Sequence, residues 1–213
     1  MASFLLTSFD IWLTHHTHNS SDQVLGLLMQ QQRLPADCQL LRCLPVEIEG
    51  AFGAVQAAIE QFQPDFVICC GMAEGRSSLD LEQQAIDCPI QASAENPSAD
   101  DGMAGNPHPR RDWGQNARQN SSHTPRSEDF QENPRVLQTQ INLVSLIPDL
   151  TQTCISTDAG RFVCNGLYFR VLDWIDRHRS ASQALFIHVP CITPDNEAAI
   201  VADFGTLLDR LNA

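Results

Sequence analysis

Three places combine a side chain able to do covalent chemistry with the end of an apolar, strand-like run. The first is Asp158-Ala159-Gly160-Arg161-Phe162-Val163-Cys164-Asn165, where glycine turns the chain and a helix begins near Phe162. A thiol at a helix start feels the positive end of the macrodipole, which favours the thiolate. With a histidine as base, Cys164 becomes a nucleophile; without one it is a small buried hydrophobe, the common fate of cysteine. The second is Phe186-Ile187-His188-Val189-Pro190, which puts His188 near the end of an apolar strand as either a base or a core histidine. The third is Gly71-Met72-Ala73-Glu74-Gly75-Arg76-Ser77, a turn-forming stretch followed by Leu79-Asp80-Leu81-Glu82. Glu82 alone reads as a solvated carboxylate on a helix or loop. Cys164, His188 and Glu82 acquire a joint meaning only if the fold brings them together.

The elements that would do so alternate along the chain. Phe4 to Phe9 reads as a first strand, and Ser20-Ser21-Asp22 offers capping oxygens for a helix through Val24, Leu27 and Leu28. Gln39 to Ile48 reads as a second strand. Phe52, Val55, Ile59 and Phe62 recur at helical spacing before Pro64. Asp65 to Gly71 contains a continuous apolar run, the mark of a strand buried on both faces. Val136, Ile141, Val144 and Ile147 suggest a helix closed by Pro148, and Cys154 to Thr157 suggests a strand. Val163, Leu167, Val171, Leu172 and Ile175 form a helical stripe. Ala184 to Val189 is a further strand, and Thr193-Pro194-Asp195 opens a last helix. This alternation predicts an α/β fold, a three-layer α/β/α sandwich with a mostly parallel central sheet, whose ligands bind beyond the carboxyl ends of the strands.

Between the halves, the 45 residues from Gln91 to Arg135 contain no Ile, Leu or Val but five prolines. Such a stretch cannot bury enough apolar surface to offset its ordering entropy. The chain therefore reads as a single domain over 1–213 with a polar, flexible insertion at about 91–135; the sharper reading is a lid anchored by Trp113 and Phe130.

Composition removes several function classes. The 213 residues carry 26 acidic and 13 basic side chains, all of the latter arginine, for a net charge of -13. Such a chain repels phosphate backbones, so no nucleic-acid partner is expected. No apolar run approaches the ~20 residues of a membrane span. The apolar stretch near the N-terminus lacks a basic flank, so no export signal is expected. Eight cysteines in that context read as free thiols in a reducing, cytoplasmic compartment. His15, His16 and His18 cluster in one loop, but no cysteine or carboxylate stands beside them at a ligand spacing, so a solvated loop is preferred to a metal site.

Four of these stretches together resemble the pyroglutamyl peptidase I family, cysteine peptidases that remove N-terminal 5-oxoproline from peptides. They are Gly75-Arg76-Ser77 with Glu82 and Ala85-Ile86; Ala159-Gly160 through Phe162-Val163-Cys164-Asn165; Phe186-Ile187-His188-Val189-Pro190; and Phe9-Asp10. The resemblance implies a Cys164–His188–Glu82 triad, an oxyanion or turn role near Arg76, and a pyrrolidone pocket at Phe9, Trp12 and Met72. It implies a substrate with N-terminal pyroglutamate and no metal or organic cofactor. A homo-oligomer is compatible with it. The chain departs from the family where Trp12 replaces a phenylalanine, Met72 a glutamine and Glu74 a glycine, and where the loop after Asp10 has lost its glycines. Those departures imply weakened reading of the lactam. The alternative they raise is a divergent homologue with altered or lost peptidase activity, binding or hydrolysing another small acyl substrate.

Overall fold

A computed structural model of the chain describes residues 1–12, 16–87 and 134–213. These residues lie in the compact unit formed by Met1–Gln91 and Pro134–Ala213. Except for Pro134 and Arg135, the polar stretch lies outside the described residues, as do Trp113 and Phe130.

A six-stranded sheet has the order β2-β1-β3-β8-β4-β7. Strands β1 (Phe4–Phe9), β2 (Cys38–Leu44), β3 (Phe66–Met72) and β8 (Gln183–Val189) run parallel. β4 (Leu79–Glu82) runs antiparallel to β8 and parallel to the edge strand β7 (Thr153–Ser156). The sheet is therefore mixed but mostly parallel, with helices on both sides.

One face packs α1 (Ser20–Gln30) and α5 (Glu197–Leu211) on Phe4, Leu6, Ile68, Cys70, Leu79, Leu81, Leu185 and Ile187. The other packs α2 (Ile48–Phe62) and α4 (Val163–His178) on Leu5, Val67, Cys69, Ala184 and Phe186. Alternate residues of each strand thus supply opposite cores, as the pleat requires, and the continuous apolar run of β3 serves both.

Local chemistry sets the helix ends. The Asn19 side chain accepts from the Ser21 amide and caps α1 one residue before the expected serine. Glu47 caps α2 through the Gly50 and Glu49 amides, and Gln63 ends that helix in the left-handed region ahead of Pro64. The α5 helix starts after a Thr193–Asn196 turn rather than at Pro194.

Two segments differ from the sequence reading. Leu79–Glu82 is a buried strand, not a loop. The stretch read as a helix from Val136 is strand β6 (Val136–Gln138), paired with β5 (Gln84–Ile86), followed by the single turn α3 (Leu143–Leu146). The apolar spacing there was too sparse to cover a helix face, and Asn142 makes no capping bond. No helix among the described residues is long and apolar enough to cross a membrane.

Candidate active site

The site forms where the ends of β3 and β8 meet the start of α4. β8 presents Phe186 and His188 on the α4 side, while Leu185, Ile187 and Val189 face α1 and α5. The reversed strand β4 brings its own residues alongside, with Asp80 opposite His188 and Glu82 opposite Phe186. Leu79 and Leu81 fill the α1 side, so Asp80 and Glu82 point inward beside the histidine. Glu82 is 0% exposed and His188 5%.

The Nδ1 atom of His188 and Oε1 of Glu82 are 2.7 Å apart. A carboxylate only accepts, so Nδ1–H donates and Nε2 is left for another partner. Cys164 lies close enough to the ring to act on its protonation. Burial alone would lower the His188 pKa, but the interactions with Cys164 and then Glu82 win and push it up to about 9.

Cys164 is the second residue of α4. The chain reaches it through Gly160, whose φ of +78° is the left-handed turn that glycine permits, and the Gly160 amide donates to Asp158 Oδ1 at 3.0 Å. The N-cap residue Phe162 makes no side-chain capping bond. The helix-start amides beside the sulfur thus carry the macrodipole's positive end without a capping side chain. Asn165 clamps this helix start to β5, accepting from the Ile86 amide at 2.9 Å and donating to its carbonyl at 2.8 Å. Tyr168, one turn on, donates to the Glu82 carbonyl at 2.9 Å. Gly71 is the neighbour that makes room: a Cβ there would lie 2.8 Å from Cys164 Sγ and 2.8 Å from Phe186 Cζ. The sequence reading quoted Asn165 and Gly71 within their motifs without giving them a role and passed over Tyr168; for Gly71, a glycine closing an apolar strand was the available signal.

Other thiols differ in kind. Burial pushes Cys69 up to about 12 and Cys70 well above its ordinary value. Cys38 is raised to about 11, by burial first and Asp37 second.

Arg76 sits in the turn expected there. Its amide donates to the Ala73 carbonyl at 3.0 Å, which closes the turn and commits that N–H. Its guanidinium instead meets Asp80, Ser156 Oγ at 3.1 Å, the Asp158 carbonyl, and Glu82 Oε1 at 3.3 Å.

The residues expected to read the lactam are less well gathered. Phe9 is 3% exposed and belongs to the core on the α2–α4 side. Trp12 is 45% exposed. Because the Cβ direction of Gly71 leads to Cys164, the pleat turns Met72 to the opposite face. There it lines a cavity of about 170 Å³ with His16, His18, Ser20, Gln23 and Cys191. His16 is not a solvated loop residue: its side chain is 14% exposed and its Nε2 lies 3.6 Å from Glu74 Oε2. His15 lies outside the described residues, among which no three His, Cys, Asp or Glu side chains gather as a metal site would require.

Comparison with known proteins gives a consistent picture. A family model described as pyroglutamyl peptidase matches residues 143–205, which include Cys164 and His188. The pyrrolidone-carboxylate peptidase of Enterococcus faecalis is 30% identical over 167 residues, covering 75% of this chain and 68% of the relative. That of Bacillus amyloliquefaciens is 27% identical over 193 residues, covering 88% and 78%. The crystal structure of the pyroglutamyl peptidase I from B. amyloliquefaciens superposes with a TM-score of 0.69 at 22% identity, over 98% of this chain and 93% of that one. The pyrrolidone carboxyl peptidase from Thermococcus litoralis gives 0.69 at 19% identity, over 100% and 96%.

Proposed function

The chain belongs to the pyroglutamyl peptidase family, and on that premise we propose that it is a cysteine omega-peptidase that removes N-terminal 5-oxoproline from peptides, with Cys164 as nucleophile, His188 as acid–base and Glu82 as orienter of the imidazole. One observation carries this reading: a buried histidine meets a buried carboxylate at Nδ1 and is influenced by the thiol at the start of α4.

The geometry supports the following course. Cys164 transfers its proton to His188, whose raised pKa makes the ring a good acceptor, and a thiolate–imidazolium pair results. The sulfur attacks the carbonyl carbon of the 5-oxoprolyl residue, and the carbonyl oxygen takes the electron pair. In this reading the helix-start amides of α4 stabilise that oxyanion. As the intermediate collapses, the C–N bond breaks and His188 protonates the departing amine. Water, deprotonated by the now neutral His188, cleaves the thioester and releases pyroglutamate. Trp12 and the residues about the β3 and β8 ends supply the rim of the pocket, with Phe9 as a buried wall. The domain is one pyroglutamyl peptidase-like unit with the polar stretch as an insertion, working in the cytoplasm.

Incubation with a chromogenic pyroglutamyl amide tests the reading. Release of the chromophore, abolished by Cys164→Ala, is the expected result. Failure of the wild type to turn over that substrate while hydrolysing another small acyl compound would replace it with the divergent-homologue alternative.

A further inference from the structure

We propose that Arg76 is a positioning residue of this site: its guanidinium, anchored by Asp80, Ser156 and the Asp158 carbonyl, holds the Glu82 carboxylate in the orientation that accepts from His188. The inference rests on the triad reading above and deepens it.

Glu82 lacks other restraint. Its Oε1 meets His188 Nδ1 and Arg76 Nη2, and its Oε2 is buried without a hydrogen-bond partner among the described residues. A carboxylate removed from water with so few donors keeps its charge only through the cations beside it. Arg76 is well placed to supply one. Its side chain is three-quarters buried, and its planar fork donates to Asp80, Ser156 and the Asp158 carbonyl while Nη2 forms an ion pair with Glu82 Oε1.

The anchor is equally specific. Asp80 sits two residues before Glu82 on the same face of β4, also buried. Beyond Arg76 it accepts from Ser78 Oγ at 2.8 Å and Cys154 Sγ at 2.9 Å. Burial raises its pKa, but Cys154, Arg76 and Ser78 together bring it below the ordinary carboxylate value. Arg76 therefore lies between two inward carboxylates, Asp80 and Glu82, with His188 on the far side of Glu82. Without the arginine, two buried carboxylates would share one imidazole. Asp80 would keep its hydroxyl and thiol donors, so Glu82 would be the one to turn away.

This mechanism has a directional signature in the resting protein. Deleting a nearby positive charge, taken alone, makes an imidazole easier to protonate. Losing an anchored Glu82 anion makes it harder. NMR titration of the His188 ring in Arg76→Met is expected to show proton affinity lowered by about tenfold or more, one pKa step. Arg76→Lys keeps the charge but not the fork, so it should recover part of the loss. Asp80→Asn leaves Arg76 against Glu82 but loosens its anchor, and should lower the affinity in the same direction to a smaller extent. It also serves should Arg76→Met fail to fold. Where pyroglutamyl amide turnover is present, kcat should fall with KM little changed. Unchanged or increased proton affinity in Arg76→Met, or in Asp80→Asn if that is the folded variant, would overturn the proposal. Lowered affinity in a protein that never hydrolyses the amide would leave the positioning role standing and refute the peptidase reading instead.

Discussion

Replacing Glu82 by glutamine removes one charge from the centre of the site while keeping its volume. The new side-chain amide would still have an oxygen to face His188 Nδ1, but the bond would lose its ionic character. Hydrogen bonds to charged groups contribute roughly 1.5–3 kcal/mol. The His188–Glu82 contact, at 2.7 Å and shielded from solvent, belongs in that class. If that stabilisation acts chiefly on the imidazolium that forms during acyl transfer, kcat falls roughly ten- to a hundredfold at 1.36 kcal/mol per tenfold step. A second effect is independent of the first. Burial lowers the His188 pKa and Glu82 helps to raise it, so the alkaline limb of the pH–rate profile should move to lower pH. Arg76 keeps Asp80, Ser156 and the Asp158 carbonyl, so the fold should survive. Steady-state kinetics of Glu82→Gln on a pyroglutamyl amide from acid to alkaline pH, with thermal melts alongside, would measure both effects. A folded variant with wild-type kcat and an unshifted alkaline limb would refute the role given to Glu82.

Other perturbations follow from the same geometry. Gly71→Ala puts a methyl against Cys164 Sγ and Phe186, so it should lower stability by about 1–3 kcal/mol, as overpacking does, and depress activity; an unchanged melting temperature and kcat/KM would show that the site is looser than described. Because the folded-state pKa of His188 is raised, its contribution to stability is fully present below about pH 6.5 and lost as pH climbs through about 9. Urea unfolding across that range should show a decline on the order of 3 kcal/mol that is missing in His188→Gln. Met72→Gln should change kcat/KM by less than about tenfold, a 1.4 kcal/mol step, because that side chain faces away from Cys164; a larger gain would mean that it does reach the substrate. Brief iodoacetamide treatment at neutral pH should label Cys164 ahead of Cys38, Cys69 and Cys70, whose thiols burial holds protonated; mass spectrometry showing even labelling would count against a histidine-activated thiol.

The parts legible in the sequence were those governed by local pattern. The unbroken apolar run of β3 announced a strand with a core on each side, and the glycine turn before Phe162 placed Cys164 at a helix start. Glu82 was harder. Leu79-Asp80-Leu81-Glu82 alternates like a half-buried strand whose charged face meets solvent. Here that face meets His188 and Arg76, compensation that local sequence does not display. Asn165 and Tyr168 were hidden for the same reason: each reaches a backbone group of the β4–β5 segment, 79 and 86 residues away in the chain. Met72 shows the opposite case. Once Gly71 is known to face Cys164, pleat parity alone turns Met72 aside, but nothing local says which face of β3 the thiol occupies. The segment from Val136 was misread because its apolar residues fit a sparse helical spacing, whereas pairing with β5 decides its conformation.

Rapid quenching during turnover of a pyroglutamyl ester or amide, followed by peptide mass spectrometry, tests the central claim most directly. The proposed course predicts a single 5-oxoprolyl thioester on the peptide carrying Cys164, absent in Cys164→Ala and accumulating in variants slowed at the His188 step. Turnover with the acyl group on another residue, or with Cys164→Ala retaining wild-type rates, would contradict it.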